Sequence, residues 1–560
     1  MRILAGALAD CVHVAGVHHF LSLAAQMDHE VRFTGPATDA ETWADMAREF
    51  QPDVIGVSYR LTPETGRQAL TDFWGVMQAA GLGDRTFVFG GTPPVAAVAR
   101  ELGIFAAIFD GTEPASAVIR FLRGGPDQGS DHAIPPQSTV ARILWKAPYP
   151  LLRHHFGIPA RTIAPTVAGI ARIADAEALD VVSLGADQDA QANFFRPDLQ
   201  NPKRTGAGGV PFRSEDDLAQ LYAASRQGNY PLTRSYSGTA DLLRYAEVLE
   251  RTIHNAWCAT SLFWFNAMDR RGPMNLETSI REHQALMAWH GARDIPVEGN
   301  EPYHWGMRDA PDVISVVASY LYAYNARRAG VRDYIATYMF ESPPLLSNRM
   351  DLAKALAQIR VAETVFLGDR DGGSDDGEGV RRIWRQTRTG LLSYPVDPVR
   401  ARAHLAESVY LQMAISPSIV HVVGYCEADH AVTADEVIES ATMAQQVIET
   451  ALAGQADMTQ DARVQARVAA LVGEADVLVE AIRALGEDET DDPLSDAATL
   501  ARAVRVGLLD SPQLQQNPVA HGTVRTRAIE GAIEAVDENG NPLTEEARIR
   551  KLGLSRLLRS

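Results

Sequence analysis

The stretch Asp10-Cys11-Val12-His13-Val14-Ala15-Gly16 lies between an apolar run and a helical pattern, and it concentrates metal-binding and proton-handling groups early in the chain. An imidazole on such a loop can ligate a soft or borderline metal through one nitrogen. A nearby carboxylate then takes the other N–H, fixes the tautomer and makes the ligating nitrogen more basic. His13 and Asp10 have those chemical types, which also serve elsewhere as caps and surface groups. Ser58 closes the run DVIGVS and Gly90-Gly91 closes TFVFGG. A small hydroxyl and two residues without side chains leave room for a bulky tail to slide beside the strands. Farther along, Glu298, Glu301 and His304 cluster in VEGNEPYHW and suit hydrogen bonding to a polar ligand or general acid–base work. Asp187 and Asp189 follow an early strand, where helix capping is the competing role. Trp257, Trp264 and Trp305 would wall a cavity or simply fill a core.

The elements that must position these groups follow from hydrophobic period. Strands are expected at Ile3–Leu8, Glu30–Phe33, Asp53–Ser58, Thr86–Phe89 and Phe105–Phe109, with helices between them and a last helix Pro114–Leu122. Short strands separated by helices imply parallel pairing with right-handed crossovers, hence a doubly wound α/β domain over residues 1–124 with ligands at the carboxyl ends of its strands. A Gly-, Pro- and Asp-rich linker follows at 125–139. Over 140–455 the rhythm resumes in longer units, with strands expected at Val181–Leu184, Cys258–Phe265, Ile295–Glu298, Tyr334–Tyr338, Thr364–Leu367 and Val420–Gly424. That length and alternation suit a (β/α)8 barrel with its chemistry at the C-terminal face. The polar stretch Gly368–Gly379 reads as a solvated loop, and residues 456–560 as a helical extension ending in a hairpin around Glu538-Asn539-Gly540.

Apolar residues at 46% and charged residues at 22% support packed cores. A net charge of −19 disfavours nucleic acid and anionic membranes as partners. Three scattered cysteines make neither a disulfide framework nor a zinc or iron–sulfur motif, which fits a reducing cytoplasm. No export signal and no membrane span are expected.

The loops at 10–16, 58–60 and 90–91 resemble the cobalamin-binding domain of corrinoid mutases and methyltransferases, whose signature is Asp-x-His-x-x-Gly, then Ser-x-Leu, then Gly-Gly. The resemblance implies that His13 is the lower axial cobalt ligand and Asp10 its hydrogen-bonded partner. It also implies that Gly16, Ser58, Gly90, Gly91 and Thr92 line the cofactor site. Two residues separate Asp10 from His13 where the family has one, and Arg60 stands where Leu is expected. VHVVGYCEADHAVTADEVIESATMAQQVIETALAG (421–454) and the segment 495–543 resemble the last barrel strand and helix and the C-terminal tail of the glutamate mutase large subunit. The domain beginning at Met1 resembles the small subunit, fused in one chain to the large one.

What that resemblance implies is an adenosylcobalamin-dependent mutase in which a cobalamin-capped barrel shields the chemistry from water. Guanidinium forks suit carboxylate recognition. The family's substrate arginines correspond here to Arg234 in PLTRSYSG, to Arg270 or Arg271 in FNAMDRRGP, and to Arg308 in HWGMRDA. The family's catalytic glutamate falls near Met339, with Glu341 two residues along. Glu341, Glu301 and His430 are the candidate catalytic groups. Glu427, Asp429 and His430 follow the last strand, where the family contacts the deoxyadenosyl group, so Glu427 counts among the cofactor-binding candidates. The substrate would be a small carboxylate or amino acid, with carbon-skeleton rearrangement favoured because no pyridoxal-binding lysine stands out. A homodimer follows by analogy. Two alternatives stay open: a cobalamin-dependent methyltransferase using methylcobalamin, which the absence of a helical cap ahead of the first domain disfavours, and a non-catalytic cobalamin sensor or carrier.

Overall fold

Five short apolar runs at the start of the chain form five parallel strands in the computed structural model, which describes residues 1–111, 113, 115–122, 134–368 and 380–558. They are β1 (Arg2–Ala7), β2 (Glu30–Phe33), β3 (Val54–Tyr59), β4 (Thr86–Gly91) and β5 (Ala107–Phe109), in the order β2-β1-β3-β4-β5. The central strands β1 and β3 are covered on both faces, so they read as nearly continuous apolar sequence. On one face Trp43, Phe73 and Phe87 pack edge to face, with centroids 5.6 and 6.0 Å apart. On the other, Phe20 and Phe121 bracket Phe109. Helices therefore lie on both sides and the sheet is doubly wound. Strand order reverses between β1 and β3, which opens a crevice at the carboxyl ends of those strands. The loop carrying Asp10 to Gly16 leaves β1 at that point.

The chain divides into two compact units, Met1–Ala133 and Ile134–Ser560. Part of the expected linker, 125–133, lies outside the described residues, as does 369–379 of the expected solvated loop. In the second unit β6 (Leu151–Phe156), β7 (Val181–Leu184), β8 (Leu232–Arg234), β9 (Cys258–Thr260), β10 (Val297–Gly299), β11 (Asp333–Phe340), β12 (Arg382–Thr389) and β13 (Ile419–His421) form one parallel sheet. Its order, β8-β7-β6-β13-β12-β11-β10-β9, curls it into a nearly closed barrel. The seam between β8 and β9 is bridged by Ala256 N–H donating to the Thr233 carbonyl at 2.9 Å. Leu151, Val181, Leu232, Trp257, Ile335 and Ile419 pack together as an apolar plug.

Two features differ from the sequence expectation. Thr364–Leu367 is the last turn of the helix Asn348–Leu367, which Ser347 caps by accepting the Met350 N–H, so its β-branched run is overridden by a helix already propagating. Strands β6, β8 and β12 carry Arg, His, Thr and Gln where an apolar period was the signal sought. Elements within 456–558 pack with the barrel's outer helices. Helix Ala462–Gly486 buries Val468, Leu471, Leu478 and Ile482 in one core with Leu321 and Leu352.

The C-terminal hairpin joins β14 (Thr526–Ile529) to β15 (Ala532–Ala535) through Glu530 and Gly531, with φ of 49° and 82°. Two successive positive φ values are what a type I′ hairpin turn requires. The expected Asn539-Gly540 turn reverses the chain one step later, between the bridged residues Val536 and Pro542. A Cβ at position 531 would strike Ser347, whose N–H donates to the Gly531 carbonyl at 2.9 Å. Gly531→Ala should therefore lower the unfolding free energy by about 1–3 kcal/mol. Urea titration checks this as a reduced midpoint at unchanged slope; an unaltered midpoint would count against the turn assignment.

Candidate functional site

Alternate strands of a parallel barrel contribute side chains to common interior layers, usually aliphatic ones. Here β6, β8, β10 and β12 contribute Arg153, Arg234, Glu298 and Gln386, a buried layer with two guanidiniums and one carboxylate. Arg153 donates to Glu298 Oε2 at 2.9 Å and to Gln386 Oε1 at 2.7 Å. Arg234 Nη2 lies 3.5 Å from the same Glu298 oxygen, and Trp257 Nε1 donates to it at 2.5 Å. Gln386 Nε2 donates to Glu298 Oε1 at 2.8 Å. Burial opposes the charge on Glu298, yet Arg153 and Arg234 outweigh it and hold the carboxyl at about 2. Burial, reinforced by Arg234, brings Arg153 down to about 10.

Above this layer a cavity of about 680 Å³ opens at the carboxyl ends of the strands. His155 and Tyr236 line it directly over the charged layer. Arg153 Nη2 lies 2.9 Å from His155 Nε2. A guanidinium can only donate, so Nε2 is the acceptor and the neutral ring carries its proton on Nδ1. Nδ1 lies 2.9 Å from Tyr236 Oη and donates to it. The Tyr236 hydroxyl proton is therefore left to point at a ligand. His421 lines the same wall, its ring centroid 4.5 Å from that of His155. Burial first, and then the facing guanidiniums, hold His154 at about 4 and His155 and His421 well below their ordinary value. The imidazoles are neutral at physiological pH.

Arg388, at the end of β12, also lines the cavity and is 8% exposed. Among the described residues its guanidinium has no hydrogen-bonded or ion-paired partner, only the Tyr303 ring 5.8 Å away, and its Nε is buried and unsatisfied. A buried, unpaired cation is costly unless a ligand supplies the counter-charge. Glu427 stands at the rim of the same cavity; burial raises its carboxyl pKa although Arg388 pulls it down.

The expected site residues fare differently. Arg270 and Arg271 line the mouth, Arg270 with φ of 62° and Arg271 with its guanidinium 5.1 Å from the Phe265 ring. Arg234 is absorbed into the buried layer. Arg308 stacks on Trp264 at 3.9 Å and donates to the His304 carbonyl at 2.8 Å, away from the cavity lining. Glu301 is buried and clamps the turn after β9: it accepts from Leu262 N at 2.8 Å, Phe263 N at 3.1 Å, Trp305 Nε1 at 2.8 Å and the Ser261 hydroxyl. Glu341 turns toward helix Pro398–Gln412, accepting from Ser408 Oγ at 3.0 Å with His404 Nε2 at 3.4 Å. His430 is exposed on the loop after β13, between Asp429 and Glu436. Asp187 caps helix Gln188–Ala192 and is forked by Arg213, as capping predicts. Sequence reasoning missed Arg388, Tyr236 and the histidines of HHF and IVH: Arg388 and the histidines lie in strands dense in polar residues, and Tyr236 follows β8.

In the first unit the loop after β1 presents His13 exposed. The expected Asp10–His13 pair does not form. Asp10 accepts from Tyr59 Oη at 3.0 Å, while His13 Nδ1 lies 3.9 Å from the sulfur of buried Cys11. The reason is spacing: counting back from His13-x-x-Gly16, the residue two before the histidine is Cys11, and Asp10 is one position too early. Ser58 is buried and pairs in register with Gly90. A Cβ on Gly90 would meet nothing within 4 Å, so that strand end borders open space, whereas one on Gly91 would strike Phe89 and the Tyr59 carbonyl at 2.6 Å. Thr92 precedes helix Pro93–Leu102 without using its hydroxyl as a cap, and Gly16 sits exposed in the first turn of helix Ala15–Gln26.

His283, His290 and His304 are buried and depressed like the three cavity histidines, His283 and His290 to about 4. Their folded values lie below the unfolded value near 6.5, so the unfolded chain takes up protons that the folded one refuses. Stability is thus complete above about pH 6.5 and falls as pH drops toward 4, by up to about 1.4 kcal/mol per pH unit for each coupled ring. Urea unfolding at pH 7.5, 6.0 and 5.0 should show a declining midpoint; a flat profile would mean the rings are not held neutral.

No protein-family model matches the chain, and no curated protein matches it significantly in sequence.

Proposed function

We propose that the chain is an adenosylcobalamin-dependent mutase that rearranges a small carboxylate substrate within the barrel, similar in kind to glutamate mutase. The observation that carries the cofactor half is His13: an exposed imidazole at the switch point of a 2-1-3-4-5 sheet, with Nδ1 facing Cys11 and Nε2 without a partner among the described residues. The open face of Gly90, beside Ser58, suits a group that must lie along the strand ends. These residues fit a corrinoid, with His13 ligating cobalt and Ser58, Gly90, Gly91 and Thr92 lining the slot for its tail. When bound, the cofactor would supply the hydrogen-abstracting radical by homolysis of its cobalt–carbon bond.

The chain's own residues do the rest. Arg388 pairs with the substrate carboxylate as the uncompensated cation of the cavity. Tyr236 donates its hydroxyl proton to a substrate oxygen, because His155 holds the tyrosine oxygen as an acceptor. Neutral His421 accepts a hydrogen bond from the substrate, and Arg270 and Arg271 extend the positive field at the mouth. Arg153, Arg234 and Glu298 position His155 without touching substrate.

A non-catalytic cobalamin carrier is the second reading, favoured because Arg234, Arg308 and Glu341 are committed to other contacts. Anaerobic incubation of the adenosylcobalamin-loaded full chain with a panel of small mono- and dicarboxylic and amino acids distinguishes the two. A cob(II)alamin-coupled paramagnetic signal and an isomerised product support the mutase; tight cobalamin binding with neither supports the carrier. For the active acid, Arg388→Met should lower kcat/KM by two to three powers of ten, about 3–4 kcal/mol. His13→Ala should shift the absorption spectrum of the bound cobalamin, and an unchanged spectrum would remove His13 as the ligand.

A further inference from the structure

The loop leaving β13 contains a second cluster that the proposed chemistry does not use. Cys426, His430 and Glu436 each offer one ligand atom, and these atoms lie within 4.8 Å of one another. The local backbone explains the convergence. The Cys426 carbonyl accepts the N–H of His430 at 3.0 Å and that of Asp429 at 2.8 Å, so residues 426–430 make one helical turn. Residues i and i+4 of such a turn project to the same side. Glu436 is placed independently by a capping box: its Oε2 accepts the Thr433 N–H at 2.8 Å while its own N–H donates to Thr433 Oγ1 at 3.3 Å. That leaves Oε1 directed at His430 Nε2, 2.7 Å away. The other ring nitrogen, Nδ1, is hydrogen-bonded to Asp429 Oδ2 at 2.8 Å.

We propose that Cys426 Sγ, His430 Nε2 and Glu436 Oε1 bind a divalent ion of the zinc class. One thiolate, one imidazole and one carboxylate form a mixed sulfur, nitrogen and oxygen set that zinc accepts in tetrahedral geometry, with one position left for water or substrate. Bond lengths of about 2.0–2.3 Å separate neighbouring tetrahedral ligands by about 3.5 Å, so the cluster needs only small side-chain movements to close. Asp429 acts as the outer-shell carboxylate that fixes a metal-bound histidine's tautomer. On binding, the metal takes the lone pairs of Cys426 and His430 Nε2 in place of their protons, which pass to solvent, and no redox change is involved. Burial and the Glu436 charge keep the Cys426 thiol protonated without metal, at about 12, and a bound dication reverses that balance. Glu427, Ala431 and Val432 on this loop line the barrel cavity, so the ion would brace one wall of it.

The test uses the untagged full chain, freed of metal and cobalamin, so that its outcome is independent of the cobalamin reading. Zinc titration by calorimetry should reveal one tight equivalent that also raises the Tm. Co²⁺ as a spectroscopic probe should give a thiolate-to-cobalt charge-transfer band. Cys426→Ser should abolish that band and weaken zinc binding at least 100-fold, His430→Ala should weaken it comparably, and Asp429→Asn should cost 10- to 100-fold. His430 and Asp429 are exposed, so their variants keep the fold, which circular dichroism verifies. Absence of a tight equivalent, or an affinity indifferent to both Cys426→Ser and His430→Ala, would overturn the proposal.

Discussion

A carboxylate held between two guanidiniums inside the barrel governs the arrangement above it. Removing Glu298 would leave Arg153 and Arg234 as uncompensated buried cations, at a cost of about 3–5 kcal/mol. An aliphatic layer would fill the same volume without that exposure to failure. What the charged layer provides is orientation. Arg153 has donors to spare after Glu298 and Gln386, and one of them fixes the His155 tautomer, which in turn fixes the direction in which Tyr236 can donate. A hydrogen-bond chain that begins at a charge admits one polarity, whereas a chain of neutral groups admits two.

The same layer sets the electrostatics of the cavity. Arg153 and Arg234 share one buried carboxylate, Glu298, and Arg388 adds a third guanidinium with no ion-paired partner among the described residues, so the interior is positive even though the whole chain carries a net charge of −19. Burial and that field together keep the three histidines of β6 and β13 neutral, making them acceptors or donors rather than cations. The cavity presents one buried guanidinium without a partner, neutral polar walls, Arg270 and Arg271 at the mouth and Glu427 at the rim. A positively charged interior would suit an anionic group even though the chain as a whole is acidic.

The first unit was legible because its candidate residues sit on the loop after β1 and at strand ends, while its central strands bury mostly apolar side chains. VIGVSY and TFVFGG read as buried strands and are strands. The barrel was half legible for the opposite reason. Several of its cavity-lining and inner-layer residues are inside the strands, so LLRHHF and RIWRQTRT lose the apolar signature that would have announced them. The run TVFL, at the end of a largely buried helix, offered a false strand in their place. Glu301 and Arg308 looked chemical by type and position, but residue type cannot tell an acceptor used by four donors from one left free. Arg388 differs from Arg234 only in what surrounds it, and that information is long-range.

This contrast separates the two arginines by what each charge is already paired with. Arg234 occupies the position that a family comparison would choose, but its charge is partly spent on Glu298 and it lies beneath His155 and Tyr236. An anion held by Arg388 on β12 would lie across the barrel from Arg234 on β8, beside His421 and Glu427 near the ends of β12 and β13. A substrate gripped there would present its reactive carbon to a different wall from one gripped by Arg234. Burial without a counter-charge is costly, so Arg388 is the group in this cavity whose energetics a bound anion would change most.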